Sequence, residues 1–152
     1  MGAVTYPDPT VESYVNSHFI PVQFNVVEQP ELKDQFCACW TPTLIIQDAE
    51  GREHRRSEGF HDQKRFLGEM ALGRLKTVLN QSNFDAAQSL SEEALERTQG
   101  DEAREPEALF WHAVSTYKAT GEVQELLKVW DQIMAQFPGS EWGKRAEYTR
   151  FV

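Results

Sequence analysis

The chain has no apolar run near the roughly 20 residues that a helix needs to cross a bilayer. Its first residues, Met1-Gly2-Ala3-Val4-Thr5-Tyr6-Pro7, lack the basic stretch and apolar core of a secretory leader. Cysteine is scarce: Cys37 and Cys39 are the only two, too few for a disulfide framework. Basic charge is short as well, with 15 Lys and Arg against 24 Asp and Glu and a net charge of −9. The deficit is shared, since residues 1–66 carry 10 acids against 6 bases and residues 67–152 carry 14 against 9. Phosphate binding needs a clustered basic face, so no nucleic-acid partner is expected. Arg52, Arg55 and Arg56 fall on one short segment and read as a solvated strand edge. Neither a Gly-rich phosphate loop nor a Gly-x-Ser-x-Gly elbow is present, and no cofactor is expected. The histidines at 18, 54, 61 and 112 are scattered, without metal-ligand spacing to the cysteines. At 40% hydrophobic and 26% charged residues, the composition is that of a globular, cytoplasmic protein with no membrane partner.

What is present divides near residue 80. Thr10 is placed to cap a short helix running to about His18, with Val11, Tyr14, Val15 and His18 on one face. Phe19 to Val26 alternates apolar and polar residues and reads as a strand. Pro30 to about Phe36 reads as a short helix, with Leu32 and Phe36 inward. Trp40-Thr41-Pro42-Thr43 then opens a β-branched run, Thr43 to Gln47. Proline has no N–H to give a ladder and belongs at such a first position. The turn Asp48-Ala49-Glu50-Gly51 and the segment Glu53 to Glu58 complete an antiparallel hairpin.

From Asp62 onward the spacing predicts helices only. Phe66, Leu67, Met70, Ala71, Leu75, Val78 and Leu79 form one stripe. Ser82 or Asn83 starts a second helix with Ala87, Leu90 and Ala94 inward. Pro106 and Gly121 bracket a third, Val123 to Phe137 forms a fourth, and a short helix bearing Trp142 ends the chain.

The Thr-Pro-Thr segment, the hairpin, the Gly59-Phe60 exit and the following helix resemble the second half of a thioredoxin fold. The expected fold is an α/β layer followed by an all-α part: residues 1–80 an incomplete thioredoxin-like domain, residues 81–152 a helical tail. The tail resembles tetratricopeptide helix pairs through Phe110, Tyr117, Gly121, Trp130 and Pro138. Leu126 and Val114 depart from the small residues usual there. A fainter upstream copy sets Ala87 and Ala94 against Leu126 and Ile133, 39 residues on rather than the usual ~34.

The thioredoxin-like resemblance implies a cis proline at Pro42 and a parent activity of thiol–disulfide exchange. In that family the proline lies against a Cys-x-x-Cys pair at a helix N-terminus, where the thiolate is stabilised. Ala3 to Asp8 resembles a segment that follows that pair, so Met1 falls just beyond it and no such pair is in this chain. Two readings stay open: the native protein extends further upstream, or the sheet has been rebuilt. A rebuilt sheet requires the strands at 22–26 and 43–47 to pair directly, recruit Ala3–Tyr6, or borrow a strand from a second copy in a homodimer.

Cys37 and Cys39 are the candidates for a substitute redox pair. A bridge across one intervening residue is strained and easily reduced. The plainer reading is two half-buried thiols packed beside Phe36 and Trp40. The resemblance further implies that the Thr41 backbone holds an extended substrate, with Trp40, Pro42 and Phe60 around it. Two functions follow as expectations. One is an oxidoreductase-family chain that does not itself exchange disulfides. The other is a non-catalytic module that binds a protein or peptide by strand addition. Trp111, Trp130 and Trp142 are expected to pack between helices rather than to face a partner.

Overall fold

A computed structural model describes residues 1–149. Among these are seven helices and one two-stranded antiparallel sheet. In chain order they are α1 (Pro9–His18), α2 (Pro30–Gln35), β1 (Thr43–Gln47), β2 (Glu53–Glu58), α3 (Gln63–Asn80), α4 (Phe84–Thr98), α5 (Glu105–Thr120), α6 (Val123–Gln136) and α7 (Glu141–Thr149). The α/β-then-helical layout is therefore present, with much more helix than sheet.

Local chemistry sets most boundaries. The α1 cap is Asp8, not Thr10: its carboxylate accepts from the Thr10 and Val11 amides, and Pro9 takes the first helical position. Asp62 and Asn83 cap α3 and α4 by accepting from Arg65 and Ala86 amides. Gly121 ends α5 at φ 77°, and its N–H closes on Tyr117 C=O.

The strand expected over residues 19–26 is absent. Residues 19–25 have no regular structure, and Asn25 instead builds a turn, its side chain accepting from Val27 N–H and its carbonyl from Glu28 and Gln29. Alternation alone does not make a strand, because each extended residue needs a neighbouring backbone, and Pro21 removes one donor. Ala3–Tyr6 does not substitute for it. The amides of Val4, Thr5 and Tyr6 all turn back on Met1 C=O, so the segment is coiled rather than extended.

The β1–β2 register pairs Thr43 with Glu58, Leu44 with Ser57, Ile45 with Arg56 and Ile46 with Arg55, then slips so that Gln47 meets Glu53. His54 is the extra residue of this bulge, which turns its ring into the protein. There the ring bridges Asp48 Oδ2 and Asn80 Nδ2, fastening the hairpin to the end of α3.

Helix α3 is the spine. Phe66, Leu67 and Met70 pack with Ile46, Val11 and Tyr14, while Ala71, Leu72 and Leu75 pack with Ala87 and Ala94 of α4 and Ala108 of α5. A third cluster joins Phe110 and Ala113 of α5 to Trp130 and Ile133 of α6 and Ala146 of α7. Short connections place α3 against α4 and α5 against α6 as neighbouring pairs. The tryptophans serve this packing: the Phe110 and Trp130 rings stack at 5.6 Å, Trp111 meets Trp142 edge-on, and Lys76 Nζ sits 3.5 Å over the Trp111 ring.

Helix α3 lies close to the sheet at Gly73, where a Cβ would lie 2.0 Å from Ile46 Cδ1. Alanine at 73 gains helix propensity of up to about 1 kcal/mol but overfills the contact at a cost of about 1–3 kcal/mol. Gly73→Ala should thus lower stability in urea unfolding. Adding Ile46→Val, which deletes Cδ1, should recover part of the loss, giving a double-mutant coupling of opposite sign to the two single costs.

Candidate functional site

Hydrogen bonds at its two ends fix which way each residue of β1 faces. Gly59 N–H donates to Pro42 C=O and Asp48 N–H donates to Arg52 C=O. Backbone groups alternate direction along a strand, so Leu44 and Ile46 bond to β2, while Thr43, Ile45 and Gln47 point their N–H and C=O the other way. Among the described residues no strand lies on that side. The open edge is the most unusual feature of the fold, because unpaired strand backbone recruits partners unless it is blocked.

The strand itself carries no charged side chain, and exposed apolar residues lie in the segments before and after the hairpin. Ile20, Val22, Phe24 and Val27 of the irregular segment are exposed, as are Trp40 (65%) before β1 and Phe60 (58%) after β2. Ring stacking of Phe24 on Phe36 holds the irregular segment against α2. A shallow cavity of about 280 Å³ separates Val26, Val27 and Lys33 from residues 38–41 at the head of β1. The Thr41–Pro42 peptide is cis, and Thr43 O–H donates to Trp40 C=O. Trp40, Thr41, Pro42 and Phe60 thus lie at the same end of the hairpin, Phe60 directly after the Gly59 that pairs with Pro42.

Cys37 and Cys39 are reduced and both exposed, not half-buried as expected. The reason is local. Cys37 has a positive φ of 49° just after the last turn of α2, and this throws the loop outward. Cys37 Sγ faces Asp34 C=O at 3.7 Å and Cys39 Sγ faces Glu58 Oε1 at 3.6 Å. Both neighbours are acceptors, and the helix end beside Cys37 is the carbonyl end. A nucleophilic thiolate wants the opposite, a helix N-terminus or a free cation. Arg56 lies near Cys37; its Nε and Nη2 are taken by both Glu53 oxygens and by Phe36 C=O, while Nη1 is buried without a hydrogen-bond partner.

A second constellation lies under the hairpin, and sequence reasoning missed it. Arg55 is not on a solvated edge: it points into the core, where Nε meets Glu69 Oε2 at 2.6 Å and both terminal nitrogens grip the Glu107 carboxylate. Arg104 takes the other Glu69 oxygen and also Asp101. Only Arg52 of the three arginines is fully on the surface. The available signal was Glu69 itself, a lone acid amid the apolar stripe of α3. Burial opposes its charge, but Arg55 and Arg104 outweigh burial and hold the carboxyl below its usual range. Burial opposes the Arg55 charge as well, and Glu107 first, then Glu69, outweigh it and raise its pKa.

Ser57 and His61 make a close pair that invites comparison with a nucleophile and its base. The proton bookkeeping rules this out. Arg104 Nη2 donates to His61 Nδ1, so Nε2 carries the hydrogen and donates to Ser57 Oγ. The ring has no lone pair free to take the serine proton, and a second positive charge beside Arg104 would be repelled. Burial, first of all, pushes the His61 pKa below its ordinary value. His61 C=O in turn accepts from the buried Thr5 hydroxyl at 2.7 Å, tying down the chain start. His112 is likewise structural, bonded to Ser91 on α4. No group of three or more metal-ligating side chains converges among the described residues, and no described helix is long and apolar enough to cross a membrane.

Compared with protein-family models, curated proteins and solved structures, the chain matches none. Its function is therefore read from this geometry.

Two outcomes test the charged cluster. Glu69→Gln strips the shared anion from two buried arginines and should cost about 3 kcal/mol in denaturant unfolding. In acid, stability should fall in two stages. His18, His61 and His112 all have folded pKa values below their unfolded value near 6.5. The unfolded chain therefore takes up protons first, and stability drops as pH falls below about 6.5. Asp48, Glu69 and Asp101 are lowered too, so a second loss follows as pH falls below the ordinary carboxylate range. His61→Gln should shallow the upper stage; an unchanged melting profile between pH 7 and 5 would contradict this account.

Proposed function

We propose that this chain is a thioredoxin-like layer on a tetratricopeptide-like helical scaffold, and that it works as a non-catalytic binding module. It accepts an extended protein segment along β1. The observation that carries the reading is the free row of N–H and C=O groups at Thr43, Ile45 and Gln47, on a strand otherwise fixed by β2 and α3. A segment added there gains main-chain hydrogen bonds along its length, while Trp40 and Phe60 cover its side chains. The hairpin opening at Pro42 with α3 after it and the helix pairs of the tail support the two resemblances, while residues 19–26 lack the strand that the first implies.

The thioredoxin-like parentage carries thiol–disulfide exchange with it, but residues 1–149 hold no thiol placed to perform it. Cys37 and Cys39 face acceptors, and neither sits at a helix N-terminus. The chain should therefore show no turnover of a protein disulfide above the rate of free thiol. Multiple turnover at the level of an ordinary thioredoxin would refute the non-catalytic reading.

Binding is tested with Trp40 as the reporter. An extended peptide of alternating β-branched residues, added to dilute protein, should shift the Trp40 emission to the blue and saturate. Ile45→Pro removes one outward N–H without touching the β1–β2 ladder, since proline is tolerated where a strand faces solvent. It should weaken the peptide about 10-fold, which corresponds to one or two lost hydrogen bonds. Cys37→Ser with Cys39→Ser should leave binding unchanged. Equal affinity in the Ile45→Pro protein, with its circular dichroism intact, would place the peptide elsewhere.

A further inference from the structure

We propose that the strand added to β1 is the β1 of a second copy of this chain, in an antiparallel pair whose twofold axis passes through Ile45. This rests on the strand-accepting reading above and names the partner.

The first argument is register. The outward-facing residues Thr43, Ile45 and Gln47 are symmetric about Ile45, the middle residue of the five-residue strand. Antiparallel pairing on that centre sets Ile45 opposite Ile45 and Thr43 opposite Gln47 twice. Every outward N–H and C=O of both strands then has a partner, and none is left over. An isologous interface of this kind is self-complementary by construction.

The second argument is charge. Two copies of a chain with net charge −9 repel, so they can meet closely only where neither carries acids. Residues 36–47 include no acidic or basic side chain, nor do residues 19–27. Residues 36–42 lead into β1, and Val26 and Val27 line a cavity with residues 38–41 at its head. β2, by contrast, carries Glu53, Arg55, Arg56 and Glu58. In the paired register Asp48 falls opposite Pro42 and Glu50 opposite Trp40, so no like charges are opposed. A strand without a single charged residue is also the kind that natural edge strands avoid unless it is paired.

The third argument is the side-chain faces. Leu44 and Ile46 look toward α1 and α3, and Leu44 is only partly covered there. Across the axis each meets the other's counterpart, extending the same apolar layer into the second copy. Ile45, half-exposed in the single chain, packs on its own image on the opposite face. The result is a four-stranded sheet in the order β2–β1–β1–β2.

The test exploits the axis. Analytical ultracentrifugation of the full chain at micromolar concentration should give a particle of twice the 17.4 kDa chain mass. Ile45→Lys and Ile45→Glu each place like charges face to face on the axis. Each alone should raise the dimer dissociation constant by about 100-fold or more. Mixed in equal amounts the two variants should re-form a dimer, because the ammonium introduced in one then meets the carboxylate introduced in the other. Circular dichroism of each variant should match the parent, which separates lost pairing from lost folding. A monomeric parent chain overturns the proposal, as does a dimer that both charged variants preserve. If the parent is monomeric yet still binds the extended peptide in the manner lost by Ile45→Pro, strand addition stands and self-pairing falls. If it is monomeric and binds no peptide, both fall.

Discussion

The Glu69 carboxylate is the point on which the two halves of this molecule are pinned. It lies in the buried face of α3, with Arg55 from the hairpin on one oxygen and Arg104 from the start of α5 on the other. Arg55 continues to Glu107 and Arg104 to Asp101 and His61, so β2, α3 and α5 are held by one alternating chain of charges. Any one of these ions alone in the interior would be strongly unfavourable, and the cluster is tolerable only because each charge is answered. A small two-stranded sheet has little core of its own. Fastening its inward arginine to two helices, and its bulged His54 to Asn80, is what makes the hairpin a rigid platform.

Rigidity gives the open edge its significance. A frayed hairpin with unpaired backbone would be a flexible loop, solvated and without specific consequence. Here the inner face of β1 is set against Gly73 at van der Waals contact, and its ladder to β2 is fixed at both ends. The outward groups are thus presented in fixed register on a strand without charged side chains. Preorganisation of that kind lowers the entropic cost of adding a strand. The loop that carries the two thiols follows the carbonyl end of α2 and sets Asp34 C=O and Glu58 Oε1 against them.

Much of this was legible in the residues. The hairpin limits, 43–47 and 53–58, follow from Pro42, the Asp-Ala-Glu-Gly turn and the exit at Gly59. The helices from Asp62 onward follow from capping residues and apolar stripes. Three things were not legible. Phe19–Val26 has the alternation of a strand, but strand formation is a pairwise property, and no single segment reveals whether its neighbour exists. Arg55 looked like surface because charge on a strand usually is, and its partners Glu69 and Glu107 are 14 and 52 residues distant. The exposure of Cys37 and Cys39 depends on one positive φ at Cys37, which a composition of small residues does not foretell.

Amide hydrogen exchange along β1, followed residue by residue in the unliganded chain at a concentration where sedimentation shows a monomer, tests the central claim most directly. An edge that is open on one side and laddered on the other predicts alternation. Leu44 and Ile46 amides should exchange slowly, and Thr43, Ile45 and Gln47 amides should exchange orders of magnitude faster. Uniformly slow exchange at all five positions would mean that the chain already covers this edge with a segment of its own, and the strand-accepting account would be wrong.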